Sequence, residues 1–476
     1  MFKKISLFTA VAMIISAVGI NTCSAAIFDS GDGTKDNPYV ISTQAQLEIV
    51  ADLPELNYKL ANDISLTGSW TTIGSLGDSF SGIFDGNGHK ILNASSTLFK
   101  TNEGTIKNLT VENEKKVKNS ILVTDNKGSI VNCHVSGEMY PGYRTGGIAG
   151  ENMTSGIINK CSANVFVSDS SSVSNNSEIG GIAGENRGVI SECFSSGSID
   201  TYVNGYANSY YNPQYYHSYS GGIVGRQNGG QTENCYSVLT VKARSGQYGT
   251  AYAGGIVGCL ALGGASVNNS YAFGAVYATE YEGGICGLKD AGTNVTNSYY
   301  NKDTTGCSDT GKGIPKSTLG MKLKSIYTDW DFENVWGIND EINDGYPYLK
   351  WQYADEPAGD SVSVEIIAAD STDDSLKFIS EVKETGNPDI AYFGTTFIPL
   401  SLFDDTDAKS VNVIYDNDEY NIQDGQSFGA TLTGIPEQCR DWVFVGKSYT
   451  RDSSKKYTWS EAKTASVNNT KLNSVN

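Results

Sequence analysis

Histidine is nearly absent from this chain: His89, His134 and His217 are all there is in 476 residues. None stands near a second ligand at usable spacing, so the sequence predicts no metal site and no cofactor. Heptads and long amphipathic stretches are missing, so helix should be scarce. Basic residues are outnumbered, 34 against 53 acids, for a net charge of −19. Such a surface argues against nucleic acid and anionic membranes as partners. No apolar segment beyond residue 20 is long enough to span a bilayer. The terminal KTASVNNTKLNSVN shows neither a wall-sorting motif nor an apolar tail.

Glycine is abundant, at 53 residues, and much of it lies in a repeat. GGIAG occurs at 146–150 and 180–184, GGIVG at 221–225 and 254–258, and GGICG at 283–287. The copies begin 34, 41, 33 and 29 residues apart. Self-similarity at such a period marks a solenoid, whose units bury their apolar faces only against neighbours. In the unit GGIAGENRGVISECFSSGSIDTYV the apolar runs are Ile182-Ala183, Val189-Ile190 and Ile199 to Val203. Runs this short, split by turn residues, read as strands. Three per unit predict a three-sided coil, and stacked coils predict a parallel β-helix with about 4.8 Å between rungs. The paired glycines are expected at a tight corner or at φ > 0.

Columns follow from aligning the units. Cys161, Cys193, Cys235, Ser270 and Ser298 share one, with Cys133 one coil earlier. A stack of small residues suits a coil interior. The eight cysteines beyond residue 25 are therefore expected to be mostly thiols, although an even count in an exported chain also admits bridges. The residue after GGIxG reads Glu151, Glu185, Arg226, Cys259 and Leu288. The next reads Asn152, Asn186 and Gln227, the makings of an amide ladder from rung to rung.

The amino terminus reads as an export signal over residues 1–25, with Lys3-Lys4, the apolar Ile5 to Ile20, and Cys23-Ser24-Ala25-Ala26 at the cleavage site. Residues 27–55 lead in and carry the one helix-like stretch. The coils run to about residue 305. Residues 306–352 close the array, where Trp330, Phe332, Trp336 and Tyr348 could cover an open core. A β-helix with its lead-in and cap thus spans 27–352. Glu356-Pro357-Ala358-Gly359 looks like a linker, and alternating segments such as SVSVEIIAA and DWVFVGKSYT predict a β-sandwich over 359–476.

Two constellations could carry chemistry. Glu151 and Glu185 on neighbouring coils would stand about 5 Å apart, the carboxylate spacing of a retaining glycosidase. The favoured reading is plainer: a surface charge ladder, its repulsion offset by Arg226. A lyase would need clustered acids for calcium and a base over the sugar. Arg144, Arg187, Arg226 and Arg244 are the arginines of the coils, and no acidic cluster is expected to face them. No catalytic residue is assigned. The second constellation is the insert TYVNGYANSYYNPQYYHSYS, which lengthens one repeat to 41 residues. Insertions in repeat proteins map to loops on one face. Its Tyr206, Tyr210, Tyr211, Tyr215, Tyr216 and Tyr219 are candidate ligand-binding residues, since tyrosine offers an apolar face and a hydroxyl at low entropic cost. The alternative is packing on the coil flank. The run Asp29, Asp32 and Asp36 could form a calcium loop, but a capping turn fits its spacing better.

These residues resemble a known family. GGIAGENRGVISECFSSG and SGGIVGRQNGGQTENCYS are similar to the GLUG motif of bacterial surface proteins, including some immunoglobulin A-cleaving proteases. WTTIGSLGDSFSGIFDGNGHKI resembles the opening of such arrays and NDGYPYLKW their close. The resemblance, over roughly residues 35–352, implies a right-handed parallel β-helix on a secreted or surface-attached bacterial protein. It implies no activity, because the GLUG region is not the catalytic part of those proteases and this chain has no HExxH sequence. TGIPEQCRDWVFVGKSYT is similar to immunoglobulin-like modules of Gram-positive surface proteins.

The expectation is therefore an all-β chain: a right-handed parallel β-helix solenoid followed by a small C-terminal β-sandwich. It should be a secreted or cell-surface, adhesin-like binding protein without catalysis. Its partner would be a host or cell-wall glycan or an extracellular protein, with no membrane insertion once the signal is removed. The alternatives are a β-helix polysaccharide lyase or glycoside hydrolase, and a structural spacer.

Overall fold

The computed structural model describes residues 27–168, 175–207, 213–339, 342–353, 361–385, 390–403, 410–416, 422, 424–452 and 457–474. Residues 1–25, expected to be an export signal, residues 356–359, expected to be a linker, and Tyr210 and Tyr211 lie outside them. The described chain divides into two compact units. One comprises the residues up to Ser298 with Thr305–Gly313; the other comprises Tyr299–Thr304 and Ile314 onward.

The first unit is a parallel β-helix. One coil runs from the strand Arg144–Gly146 through Ala149–Asn152 to Ile157–Asn159 and Ser162–Ser168. Each strand pairs in parallel with its counterparts in adjacent coils: Ile158 lies between Ile130 and Ile190, and Val165 between Gly137 and Gly197. One side of the coil thus contributes two strands per turn, bent at Lys160. The other two sides form sheets of seven and five strands. Side chains alternate strictly along Ser162–Ser168, with Ala163, Val165 and Val167 buried. The isoleucines of the five GGIxG motifs, Ile148, Ile182, Ile223, Ile256 and Ile285, form one fully buried column. Water excluded from such continuous apolar columns is the main force holding the coils together.

The cysteine column stands as read from the sequence. The backbone N–H of Cys133 donates to the Sγ of Cys161, that of Cys161 to Cys193, and that of Cys193 to Cys235, each at 3.4 Å. Ser270 and Ser298 continue the line. All eight described cysteines are free thiols. The amide ladder is longer than expected. Asn102, Asn126, Asn152 and Asn186 pass hydrogen bonds from coil to coil at 2.8 Å, and Asn186 reaches Gln227 at 3.3 Å. All five are fully buried, so each amide satisfies the next where water is absent.

The glycines stand at a tight corner, one of the two expected settings, and not at φ > 0. None of the GGIxG glycines has positive φ. The left-handed bend lies one residue before the cysteine column, at Asn108, Asn132, Lys160, Glu192, Asn234, Asn269 and Asn297, with φ between 45° and 54°. Asparagine tolerates that region, which explains its recurrence there. The motif glycines instead permit close approach. A Cβ on Gly184 would lie 2.5 Å from the backbone nitrogen of Thr145, and one on Gly146 would lie 2.7 Å from that of Gly184. First and last glycines of successive motifs therefore pack face to face, and the outer faces of two sheets meet at a sharp re-entrant corner.

The lead-in carries the short helix Gln44–Ile49, started by a Thr43/Gln46 capping box. Asp32 accepts from the Thr34 backbone N–H and Asp29 from Gln46, so this acidic run caps turns. In the second unit, Trp336–Gly337 pairs antiparallel with Tyr348–Leu349, and Trp336 packs on Trp330 at 4.4 Å. Beyond them two antiparallel sheets form a sandwich. Ile366, Leu376 and Phe378 of one face Phe397, Phe444 and Ala465 of the other across a shared core.

Candidate functional site

Two outward columns flank the glycine corner. On the five-stranded sheet Arg144, Glu178, Tyr219, Tyr252 and Tyr281 stand in register. On the seven-stranded sheet the column reads Asp125, Glu151, Glu185, Arg226, Cys259 and Leu288. The first column stands two residues before each motif and the second directly after it. The corner brings their side chains together.

At one end of this corner lies a knot of charge. Arg144 pairs with Glu151, with Glu185, and through its Nε with Glu178 at 3.1 Å. The Nε of Arg187 sits 2.9 Å from Glu185 and 3.3 Å from Glu151. Arg226 reaches Glu178 at 3.3 Å. The three glutamates are buried. Burial raises the carboxyls of Glu151 and Glu178 above their ordinary value, and Arg144 holds part of that rise in check. The Arg144 guanidinium goes the other way: burial disfavours its charge, but the surrounding carboxylates more than restore it.

This arrangement corrects the sequence reading three times. The ladder is buried and not a surface feature, and Arg144 and Arg187, not Arg226, neutralise the Glu151–Glu185 pair. An acidic cluster also does face the arginines, because Glu178 joins from the adjoining sheet. Glu178 was legible as a position two residues before GGI, but nothing along the chain pairs that column with the other. Glycosidase chemistry needs one carboxyl on a leaving oxygen and another at the anomeric carbon. Here the three carboxylates are buried and paired with guanidinium groups.

Further along the corner the character changes to aromatic. Tyr219, Tyr252 and Tyr281 stack at 5.1 and 5.0 Å, nearly parallel, with His217 against Tyr219 at 5.9 Å. The Arg226 guanidinium lies 5.7 Å over the Tyr219 ring. Burial pushes the Tyr219 and Tyr252 hydroxyls up and lowers His217, so all three are neutral at pH 7. Tyr281 ends the stack half-exposed.

The insert splits between two settings. Tyr206–Ala207 and Pro213–Gln214 form a short antiparallel ribbon outside the coil, while Tyr216 and Tyr219 belong to the coil strand Tyr216–Gly221. Those two are therefore not part of a projecting loop, as the sequence suggested. Tyr215 is 60% exposed and leans edge-on against Tyr248 at 5.9 Å. The sequence reading missed Tyr252 and Tyr281, whose signal was the same column two residues before each motif, and His217, which lies four residues before its motif. Among the described residues no group of three His, Cys, Asp or Glu side chains could hold a metal ion.

No family model matches the chain. It is 36% identical over 154 residues, 31% of its own length, to a protein of Evansella cellulosilytica described as a Gly-rich membrane protein. It is 29% identical over 154 residues, 27% of its length, to the halomucin of Haloquadratum walsbyi. The chain covers only 14% and 2% of those two relatives. Among solved structures an IgA1 protease is similar over 60% of this chain and 22% of its own, at 14% identity and a TM-score of 0.40.

Proposed function

We propose that this chain is an extracellular, surface-associated bacterial β-helix of the GLUG type that binds a glycan or an extracellular protein and performs no catalysis. The observation that carries the reading is the tyrosine column ending in the half-exposed Tyr281, with the exposed Tyr215 directly before Tyr216–Gly221, a strand of the same sheet. Aromatic rings with polar edges, held rigid by a coil, suit recognition at low entropic cost. The internal pairing of Glu151, Glu178 and Glu185 supports a non-catalytic role, since no carboxylate there is left open to a substrate. The names of the relatives, a membrane protein and a halomucin, support a place at the cell surface.

The test is a glycan and extracellular-protein array probed with the chain lacking residues 1–25, followed by variants. Replacing Tyr215 and Tyr281 by Ser should weaken binding of any captured ligand at least tenfold and leave thermal unfolding nearly unchanged, because both rings are more than half exposed. Undiminished binding by that variant would refute this face as the ligand site. Silence of the parent on both arrays would favour the spacer reading.

A further inference from the structure

Two sides of the β-helix stop at the last glycine motif. Among the described residues the five-stranded sheet ends at Tyr281–Gly283 and the seven-stranded sheet at Cys286–Lys289. An edge strand presents a row of outer N–H and C=O groups and invites pairing with another chain. In the four earlier motifs the N–H of the second glycine donates to a carbonyl of the following coil. Gly147 donates to Gly181, Gly181 to Gly222, Gly222 to Gly254 and Gly255 to Gly283, at 2.9, 3.0, 3.2 and 3.2 Å. The N–H groups of Ile256 and Val257 donate likewise to the Ile285 carbonyl. At the last motif these main-chain groups face the end of the two sheets.

Two side chains stand there in place of a further coil. The Gly284 N–H donates to the Asp309 carboxylate at 2.9 Å. The Lys312 ammonium donates to the Glu282 carbonyl of one sheet at 3.1 Å and to the Gly287 carbonyl of the other at 3.0 Å. One ammonium thus bridges both edges across the glycine corner, and a Cβ on Gly283 would lie 3.1 Å from its Nζ. Asp309 and Lys312 pair loosely at 3.9 Å. Both belong to one segment, residues 307–313. Cys307 is buried, whereas Ser308, Thr310 and Gly311 are exposed, so the outer side of the segment meets solvent. Gly306, Gly311 and Gly313 hold φ of 78°, 84° and 144°, conformations that glycine reaches without a steric penalty.

We infer that residues 307–313 are a strap closed over a strand-addition site, and that the partner fitting the opened edge is a second copy of this chain. The Gly284 N–H beside the Glu282 and Gly287 carbonyls forms an edge that a two-fold axis can pair with itself, donor to acceptor, in an isologous contact. With the strap closed, Asp309 and Lys312 hold these groups and the edge cannot pair. With it open, main-chain hydrogen bonds to the copy replace them, as in strand addition generally. The strap is separate from the tyrosine column's proposed role in binding and does not depend on it.

The test uses the chain lacking residues 1–25. Asp309→Ala with Lys312→Met removes both contacts and keeps the strap's backbone. Sedimentation should show the parent as a monomer from about 5 to about 200 μM, and the double variant passing to a dimer over that range. Hydrogen exchange read by mass spectrometry on peptides covering 281–289 should be at least tenfold faster in the double variant than in the parent at the low concentration. It should slow again at the high one, which places the new contact at this edge. Lys312→Arg keeps donors for both carbonyls and should stay monomeric. A folded double variant that remains monomeric, a dimer whose 281–289 peptides still exchange fast, or a parent that already pairs through this edge would each overturn the inference. The parent alone gives a further check if the variant fails to fold. Its peptides containing Gly284 should exchange as slowly as those containing Gly255, and exchange there at the rate of an open edge would overturn the inference as well.

Discussion

Removing the Arg144 guanidinium should be among the costliest single changes outside the apolar core. Arg144 contacts Glu151, Glu178 and Glu185, whose side chains are 6%, 2% and 1% exposed. Arg144→Met keeps most of the volume and deletes the charge. Breaking a buried pair by removing one partner costs about 3–5 kcal/mol, because an uncompensated charge stays behind. Arg144 is itself a quarter exposed, so the lower end, about 3 kcal/mol, applies. At roughly 2–4 °C per kcal/mol for a unit of this size, the melting transition should fall by roughly 6–12 °C.

The loss should also depend on pH, with a definite sign. The Glu151 and Glu178 carboxyls already titrate above their ordinary value in the fold, and losing Arg144 raises them further. An acid whose folded pKa is raised binds its proton more tightly in the fold. Its penalty is absent below the unfolded pKa, grows as pH rises toward the folded pKa, and is complete above it. The deficit of Arg144→Met should therefore be largest near pH 8 and shrink toward pH 5. Adding Glu178→Gln should recover part of it at pH 8. Thermal unfolding followed by circular dichroism from pH 5 to 8 measures all of this. A loss below about 1 kcal/mol, typical of surface pairs, or a loss equal at pH 5 and pH 8, would refute the buried-knot account.

Other expectations follow from the columns. Asn152→Ala breaks the amide ladder between Asn126 and Asn186 and should cost about 2–4 kcal/mol, read from denaturant unfolding. Cys235→Ser should change stability by no more than about 1 kcal/mol, because Ser270 holds the equivalent place one coil on and donates to the Asn268 carbonyl at 2.8 Å. Alkylation without reductant in denaturant should label all eight cysteines beyond residue 25, and mass spectrometry would expose any bridge. Lys160→Asn should stabilise the fold by about 0.5–1 kcal/mol, seen as a higher urea midpoint, since Lys160 holds φ 54° where five neighbouring coils use asparagine.

Much of the coil was legible because a solenoid repeats its environment. Cys133, Cys161, Cys193 and Cys235 announce an interior column, and Asn152 and Asn186 announce a ladder, since every rung places the same position in the same surroundings. The candidate site was legible only in part. Tyr215 was readable as an excursion residue. Tyr219 was mistaken for one, because nothing along the chain marks where the insert ends and the coil strand Tyr216–Gly221 resumes.

By itself, then, the sequence determined the strands, their parallel stacking, and which residues share a column, because spacing along a repeated chain is spacing along the helix axis. The tertiary structure alone decided which columns meet. Glu178 reaches Arg144 and Arg226, and Tyr219 reaches Arg226, because glycines such as Gly146 and Gly184 let two sheets close to backbone contact. That turn angle depends on packing between successive coils, which no single repeat contains.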